Sequence, residues 1–327
     1  MTAPDAGGRV DASLPISVVV PALNSGATIA ACLTSIVRVV PDHLREVIVV
    51  DNGSTDETLA VARSFPVRVE QIPRRFVSRS RNVGARAARH PLVAFVDSDC
   101  VVCDGWYEAI AGVLRDDAVG VCGGRHALRD HPTWVERTWA LAHGAPRGVE
   151  PRKIVYVPAG NMAARREVFL AVNGFDETLE TGEDPDLCAR VAARGLAVVE
   201  VPAARAIHLG EPRTLRDVFR RERWHGRGLR LRYGDGRLAP IALATAAFGG
   251  LLVLAVAGGL WSAAVGSANG MLAVLGPAGV AGIYAARHER RPLPLARLWV
   301  IYLAYFLGRA AALPVVVARG WQRRHLP

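Results

Sequence analysis

Val93-Ala94-Phe95-Val96-Asp97-Ser98-Asp99-Cys100 is a run of four apolar residues that stops abruptly at two carboxylates two positions apart. A strand buried on both faces has near-continuous apolar sequence, and ligands of open α/β sheets gather beyond the carboxyl ends of the strands. In an extended chain Asp97 and Asp99 point to the same side and form an oxygen-rich corner. Such a corner suits a hard divalent cation and the diphosphate it neutralises. A plain Asp-Ser-Asp turn reads the same way locally, because Asp and Ser are favoured in turns. The rest of the chain has to decide between the two.

On the N-terminal side the same rhythm repeats. Ile16 to Val20 is a buried strand stopped by Pro21, Asn24-Ser25-Gly26 is a turn, and Ile29, Leu33 and Ile36 recur at helical spacing to about Val39. Val47 to Val50 is a second strand that ends in Asp51. The loop Asn52 to Glu57 supplies a Ser or Thr to cap a helix from about Glu57 to Ser64. Val67 to Ile72 alternates as a third strand, and a basic helix, Ser78 to Arg89, leads to the Asp97 strand. Downstream follow a helix after Trp106, a strand at Val119 to Cys122, a helix from Arg166, a helix opened by Gly182 and a strand at Ala197 to Val201. Alternating strand and helix predicts an α/β fold with a doubly wound, mostly parallel sheet. Pro21, Asp51 and Asp97 then end their strands on one edge, where one crevice offers an acid for ribose or base and a metal corner for phosphate.

Composition narrows the class. The 327 residues carry a net charge of +10, yet Lys153 is the only lysine, so the basicity is arginine. Without aromatic and basic interleaving this is no single-strand-binding pattern, and no nucleic-acid partner is expected. The arginines crowd between Arg205 and Arg237, ahead of a very apolar C-terminal third, which fits a protein lying against an anionic membrane surface. The five cysteines, Cys32, Cys100, Cys103, Cys122 and Cys188, include one C-x-x-C pair without a second pair or a His pair to complete a zinc site. Nothing ahead of the first strand reads as a secretory signal, so reduced thiols in a cytoplasmic domain are expected. Residues 1–14, poor in apolar side chains and rich in Gly and Pro, are expected to be a disordered tail.

Five motifs occur in order: Val-Val-Pro-Ala-Leu-Asn (19 to 24), Val-Asp-Asn-Gly-Ser-Thr-Asp (50 to 56), Ser-Arg-Asn-Val-Gly (80 to 84), Asp97-Ser98-Asp99 and Gly182-Glu183-Asp184. Together they resemble a family 2 glycosyltransferase of the GT-A fold over about residues 15 to 235. The resemblance implies that Pro21, Asn24 and Asp51 hold the nucleoside of a nucleotide-sugar donor and that Asp97, with Ser98 beside it, meets the ribose or the metal. Asp99 would be the main ligand of Mg²⁺ or Mn²⁺, and Arg81 would contact base or phosphate. For Arg81 the competing reading is a solvated basic helix face. Asn161, in Gly160-Asn161-Met162-Ala163, resembles the segment that lines the sugar pocket. Glu183 and Asp184 place a carboxylate beside the acceptor, Asp184 matching the general base of an inverting transfer. Acids at a helix N-terminus are also what the dipole favours, so capping competes with catalysis there. His208 matches a histidine that reaches the metal in relatives. Arg220, Arg223 and Trp224 are similar to the (Gln/Arg)-x-x-Arg-Trp motif near the acceptor, where guanidinium groups suit a leaving or lipid diphosphate; an interfacial amphipathic helix is the alternative. Trp134 and Trp139 read first as core.

The C-terminal part, 236–327, holds hydrophobic stretches at about 241–261, 268–286 and 296–318. The first is uncharged and long enough to cross a bilayer core. Arginines at 237 and 287 put both ends of the first two on the cytoplasmic side. The third carries Arg309 and Pro314, and charge bias leaves open whether it crosses. A GT-A domain followed by a few apolar helices is similar to enzymes of bacterial exopolysaccharide assembly, the succinoglycan-type among them. The expectation is a metal-dependent, inverting transfer of one sugar from a UDP- or GDP-linked donor to a lipid-linked acceptor at the inner membrane. Direct transfer to polyprenyl phosphate and a non-catalytic nucleotide-binding scaffold are the alternatives.

Overall fold

The structure, a computed structural model, describes residues 14–142, 148–228, 240–264, 275–288 and 292–314. The expected tail, Arg237, the loop after the first apolar stretch, the start of the second stretch (268–274) and the end of the third (315–318) lie outside the described residues. The chain divides into two units: the first holds residues up to Arg125, Gly148–Phe175 and Arg190–Ala206, and the second the remainder.

The first unit is built on an eight-stranded sheet. Its strands are β1 (Ile16–Ala22), β2 (Arg45–Asp51), β3 (Arg68–Gln71), β4 (Leu92–Val96), β6 (Val119–Gly123), β8 (Arg152–Lys153), β9 (Asn161–Arg165) and β10 (Ala197–Glu200). Three further strands are short: β5 (Cys100–Val102) in the first unit, β7 (His126–Ala127) in the second, and β11 (Ala206–His208), of which only Ala206 is in the first. The sheet order is β3-β2-β1-β4-β9-β6-β10-β8. The first four of these strands and the β6–β10 pair are parallel, as the continuous apolar runs predicted. Strand β9 runs antiparallel between β4 and β6, which makes the sheet mixed. Strand β1 runs one residue beyond Pro21, where the sequence placed its end. Its ladder to β4 closes at Val19 and Phe95, so Pro21, which has no N–H to donate, sits where the two strands part.

Helices α1 (Ile29–Val39), α2 (Thr58–Arg63), α3 (Val77–Ala87), α4 (Trp106–Val113) and α6 (Arg166–Ala171) cover the sheet. Because side chains alternate along a strand, Leu92, Ala94 and Val96 join the core under α1 and α4 with Ile29, Leu33 and Trp106. Phe95 turns to the other face, where its ring centroid is 5.0 Å from Phe169 of α6 and 5.2 Å from Phe175. Each such fully buried side chain contributes roughly 1.5–3 kcal/mol. All five cysteines are free thiols.

The second unit is helical. It contains α5 (Trp134–Ala142), most of α7 (Glu183–Ala192), α8 (Leu215–His225), α9 (Pro240–Ala264), α10 (Leu275–His288) and α11 (Pro292–Ala310). Its core joins Trp139 of α5, Val218 of α8, Phe248 of α9, Ala285 of α10 and Tyr302 and Phe306 of α11. Trp139 is core as expected, whereas Trp134 is exposed. Among the described residues one helix, α9, is long and apolar enough to cross a membrane by length and composition.

Candidate active site

Reversal of strand order about β1 and β4 opens a crevice at their carboxyl ends. The loops after β1 and β2 are stitched together there. Asn24, held at φ 50°, accepts from Thr55 N–H at 2.9 Å, and its own N–H donates to Ser54 Oγ at 2.9 Å. Asp51 is buried, and its carboxylate accepts from the N–H groups of Gly53 and Ser54 at 3.2–3.3 Å. Asn52 forms a reciprocal pair with the Arg75 backbone, accepting from its N–H at 2.8 Å and donating to its carbonyl at 2.7 Å. The result is a cross-linked pair of loops in which Asn24 is exposed while Pro21 and Asp51 are buried beneath it.

At the end of β4 the charges are organised by Arg81. The solvated-face alternative does not hold: Arg81 is 3% exposed, its Nη2 donates to Asp97 Oδ1 at 2.7 Å, and its guanidinium lies 5.5 Å from the Phe175 ring centroid. Gly160 closes on Asp97 from the other side. A Cβ there would lie 2.6 Å from Asp97 Oδ2, so any other residue would push that carboxylate aside. The Ser98 hydroxyl is 2.7 Å from that of Ser25, which ties the acidic turn to the first loop. Burial pushes the Cys32 thiol up, and the charges of Asp99 and Asp97 push it further. Asp97 and Asp99 thus gather two sets of hard oxygen donors at one turn, a donor chemistry that fits Mg²⁺ or Mn²⁺. Asn161 is fully buried. Its Oδ1 accepts from Trp106 Nε1 at 2.7 Å, and its Nδ2 donates to the carbonyls of Ala204 and Gly124 at 2.8 and 3.1 Å. The amide thus braces the strand ends, which gives this residue a job inside the protein.

In the second unit Glu183 and Asp184 occupy the first turn of α7, Glu183 buried and Asp184 half-buried, at the end where the dipole favours negative charge. His208 at the end of β11 joins a cluster the sequence analysis did not anticipate. Its ring stacks on His126 at 4.7 Å, and Glu211 Oε1 lies 3.3 Å from His126 Nδ1 and 3.7 Å from His208 Nδ1. Arg221 Nη1 donates to Glu211 Oε2 at 3.0 Å, and its guanidinium lies 5.7 Å from the Trp139 ring. Burial opposes ionisation of Glu211, yet the hydrogen bond from His126 and the charges of Arg221 and His208 outweigh it and hold the carboxyl at about 2. Ligand atoms of His126, His208 and Glu211 lie within 4.8 Å of one another. The His208-Leu-Gly-Glu211 spacing was the one signal in the sequence; His126 lies far upstream. Helix α8 begins in a capping box between Thr214 and Asp217. It exposes Arg220, Arg223 and Trp224 while burying Val218 and Glu222.

Comparison with known proteins bears on the family and the fold. The profile described as Glycosyl transferase family 2 matches residues 17–172, and one described as N-terminal domain of galactosyltransferase matches residues 154–213. The pre-mycofactocin glycosyltransferase of Mycobacterium tuberculosis is 31% identical over 260 residues, which are 75% of this chain and 53% of that protein. An uncharacterized glycosyltransferase of the same organism is 32% identical over 187 residues, covering 57% of this chain and 83% of that protein. The chain therefore spans about half the length of the first of these relatives. Among solved structures, the mannosyltransferase PcManGT from Pyrobaculum calidifontis in complex with GDP-Man and Mn²⁺ superposes with a TM-score of 0.63 at 22% identity, covering 92% of this chain and 87% of that one. GalNAc-T7 with UDP, GalNAc and Mn²⁺ gives a TM-score of 0.51 at 19% identity, over 68% of this chain and 48% of that one. Both share the α/β fold of the first unit.

Proposed function

We propose a function on the premise that this chain belongs to glycosyl transferase family 2: it moves one sugar from a nucleotide-diphosphate donor, UDP- or GDP-linked, to a lipid-linked glycan, with inversion at the anomeric carbon. The observation that carries the reading is the Asp97-Ser98-Asp99 corner at the parting of β1 and β4, with buried Arg81 fixed against Asp97. The Mn²⁺ of both solved neighbours supports the choice of ion class.

In this mechanism Pro21, Asn24 and Asp51 hold the nucleoside, and Arg81 sets the orientation of Asp97 toward the ribose. Asp99, with His208, would hold Mg²⁺ or Mn²⁺. When bound, the ion neutralises charge that develops on the departing diphosphate. Asp184 accepts the proton of the acceptor hydroxyl as that oxygen attacks, with Glu183 beside it in the same helix turn. Arg220, Arg223 and Trp224 on the exposed face of α8 receive the phosphate end of the lipid carrier. The layout is a GT-A domain over about 15–235 and a membrane-attached part over about 236–327, with the catalytic region on the cytoplasmic side of the inner membrane. Charge-free α9 and the arginines around it support this placement.

Membranes containing the protein, incubated with labelled UDP- and GDP-sugars and lipid extract, should transfer label to an extractable lipid. Binding without transfer across the donor panel would mean a scaffold and refute the reading. Asp184→Asn should cost at least about 10²-fold in rate, as removal of a general base does. A loss under about tenfold would point to polyprenyl phosphate, an acceptor already anionic that needs no base.

A further inference from the structure

Helix α11 is gripped by the polar helices of its own unit over three successive turns. Tyr302 donates its hydroxyl to Ala142 O of α5 at 3.4 Å, Tyr305 lies 6.4 Å from the Trp139 ring, and Arg309 Nε donates to Glu222 Oε2 of α8 at 2.6 Å. Glu222 is 1% exposed, and the Arg309 guanidinium also covers the Tyr305 ring at 4.7 Å. Gly308 lets the backbones approach, since a Cβ there would lie 2.5 Å from Phe219 O.

This grip conflicts with a crossing helix. Arg287, Arg290 and Arg291 precede α11 and keep its start on the cytoplasmic side. Arg309 lies seventeen residues beyond Pro292, about 25 Å along a helix that rises 1.5 Å per residue. That is most of a bilayer core of about 30 Å. A spanning α11 would carry Arg309 to the far leaflet and take Glu222 with it. Yet α8 also bears Arg216, Asp217, Arg220, Arg221 and Arg223, and charges at that depth are expensive.

We propose that α11 does not cross the bilayer: the Glu222–Arg309 pair latches it beneath α8 as an in-plane support, so that the C-terminus stays on the catalytic side. Lipid contact then falls to α9 and α10, which expose Val253, Leu254, Val256 and Ile283. Helix α8 is held at the lipid surface with Arg220, Arg223 and Trp224 outward. The inference rests on the membrane attachment proposed above, and one experiment separates the two.

The full chain, expressed in a bacterium with alkaline phosphatase fused to its C-terminus, is fractionated after carbonate washing, and phosphatase activity is read in intact cells. That enzyme folds only where its disulfides form, outside the cytoplasm. The expected result is a carbonate-resistant membrane protein without phosphatase activity. Activity in the membrane-bound fusion would overturn the latch and leave the membrane reading standing. Release by carbonate would overturn the membrane reading and the inference with it. The double variant E222L/R309L removes both charges without stranding either. It should raise phosphatase activity at least about threefold, because the charge deepest in the helix and its anchor to α8 are then both gone; unchanged activity would mean that the pair is not what retains α11.

Discussion

Arg81 and Asp97 should be energetically coupled, and the structure sets both the size and the asymmetry of that coupling. Their nitrogen and oxygen are 2.7 Å apart, with the Arg81 side chain 4% exposed and that of Asp97 30% exposed. Exposed ion pairs are worth about 0.2–1 kcal/mol, while removing one partner from a buried pair costs about 3–5 kcal/mol. Arg81→Met leaves a carboxylate that water still reaches, and a cost of about 2 kcal/mol follows. Asp97→Asn leaves a guanidinium that water hardly reaches, with a neutral amide and the Phe175 face beside it, so the cost rises to about 3–4 kcal/mol. The double variant loses both charges together, and the coupling energy should be about 1.5–2.5 kcal/mol. Urea unfolding followed through tryptophan fluorescence measures all four corners of the cycle. Coupling below about 0.5 kcal/mol, or a larger loss from Arg81→Met than from Asp97→Asn, would refute the claim that a desolvated guanidinium is what orients this carboxylate.

Asn161→Ala removes three hydrogen bonds from a site with no exposure and should destabilise by about 3–5 kcal/mol, read by the same unfolding measurement. A loss under about 1 kcal/mol would mean that the strand ends hold without it. Glu136 of α5 is buried. Burial opposes its ionisation, but the N–H of Thr133 and the guanidinium of Arg129 outweigh that and hold its carboxyl below the usual value of 4.5. A depressed folded value contributes stability that is present above the unfolded value and lost as pH falls through the folded one. Glu136→Gln should therefore cost about 1–2 kcal/mol at pH 7, with the gap to wild type closing as pH falls below about 4.5. Equal gaps at pH 7 and pH 3 would show that the charge contributes nothing.

Strands β1, β2, β4, β6 and β10 were legible because each carries a short apolar run with a Pro, an acid or a Gly at or next to its end. Strand β9 was not, because Asn161-Met162-Ala163-Ala164-Arg165 is short, small and polar at both ends. It becomes a strand only between β4 and β6, which supply its hydrogen bonds. The acidic corner was visible as a pattern, but the fate of Arg81 was not. Nothing in a basic helix says which arginine turns inward until Asp97 and Phe175 are placed against it. The His126, His208 and Glu211 cluster joins residues far apart in sequence, and only the three-residue step from His208 to Glu211 hinted at it.

Pro21 has a consequence for the edge of the crevice. An amide hydrogen is missing at that point in β1, so the strand has no donor there with which to extend its ladder along β4. The opening is built into the covalent chemistry of the backbone and does not depend on an occupant to keep it ajar. On the function proposed above, that gap is where spent nucleotide would leave and a fresh donor would enter.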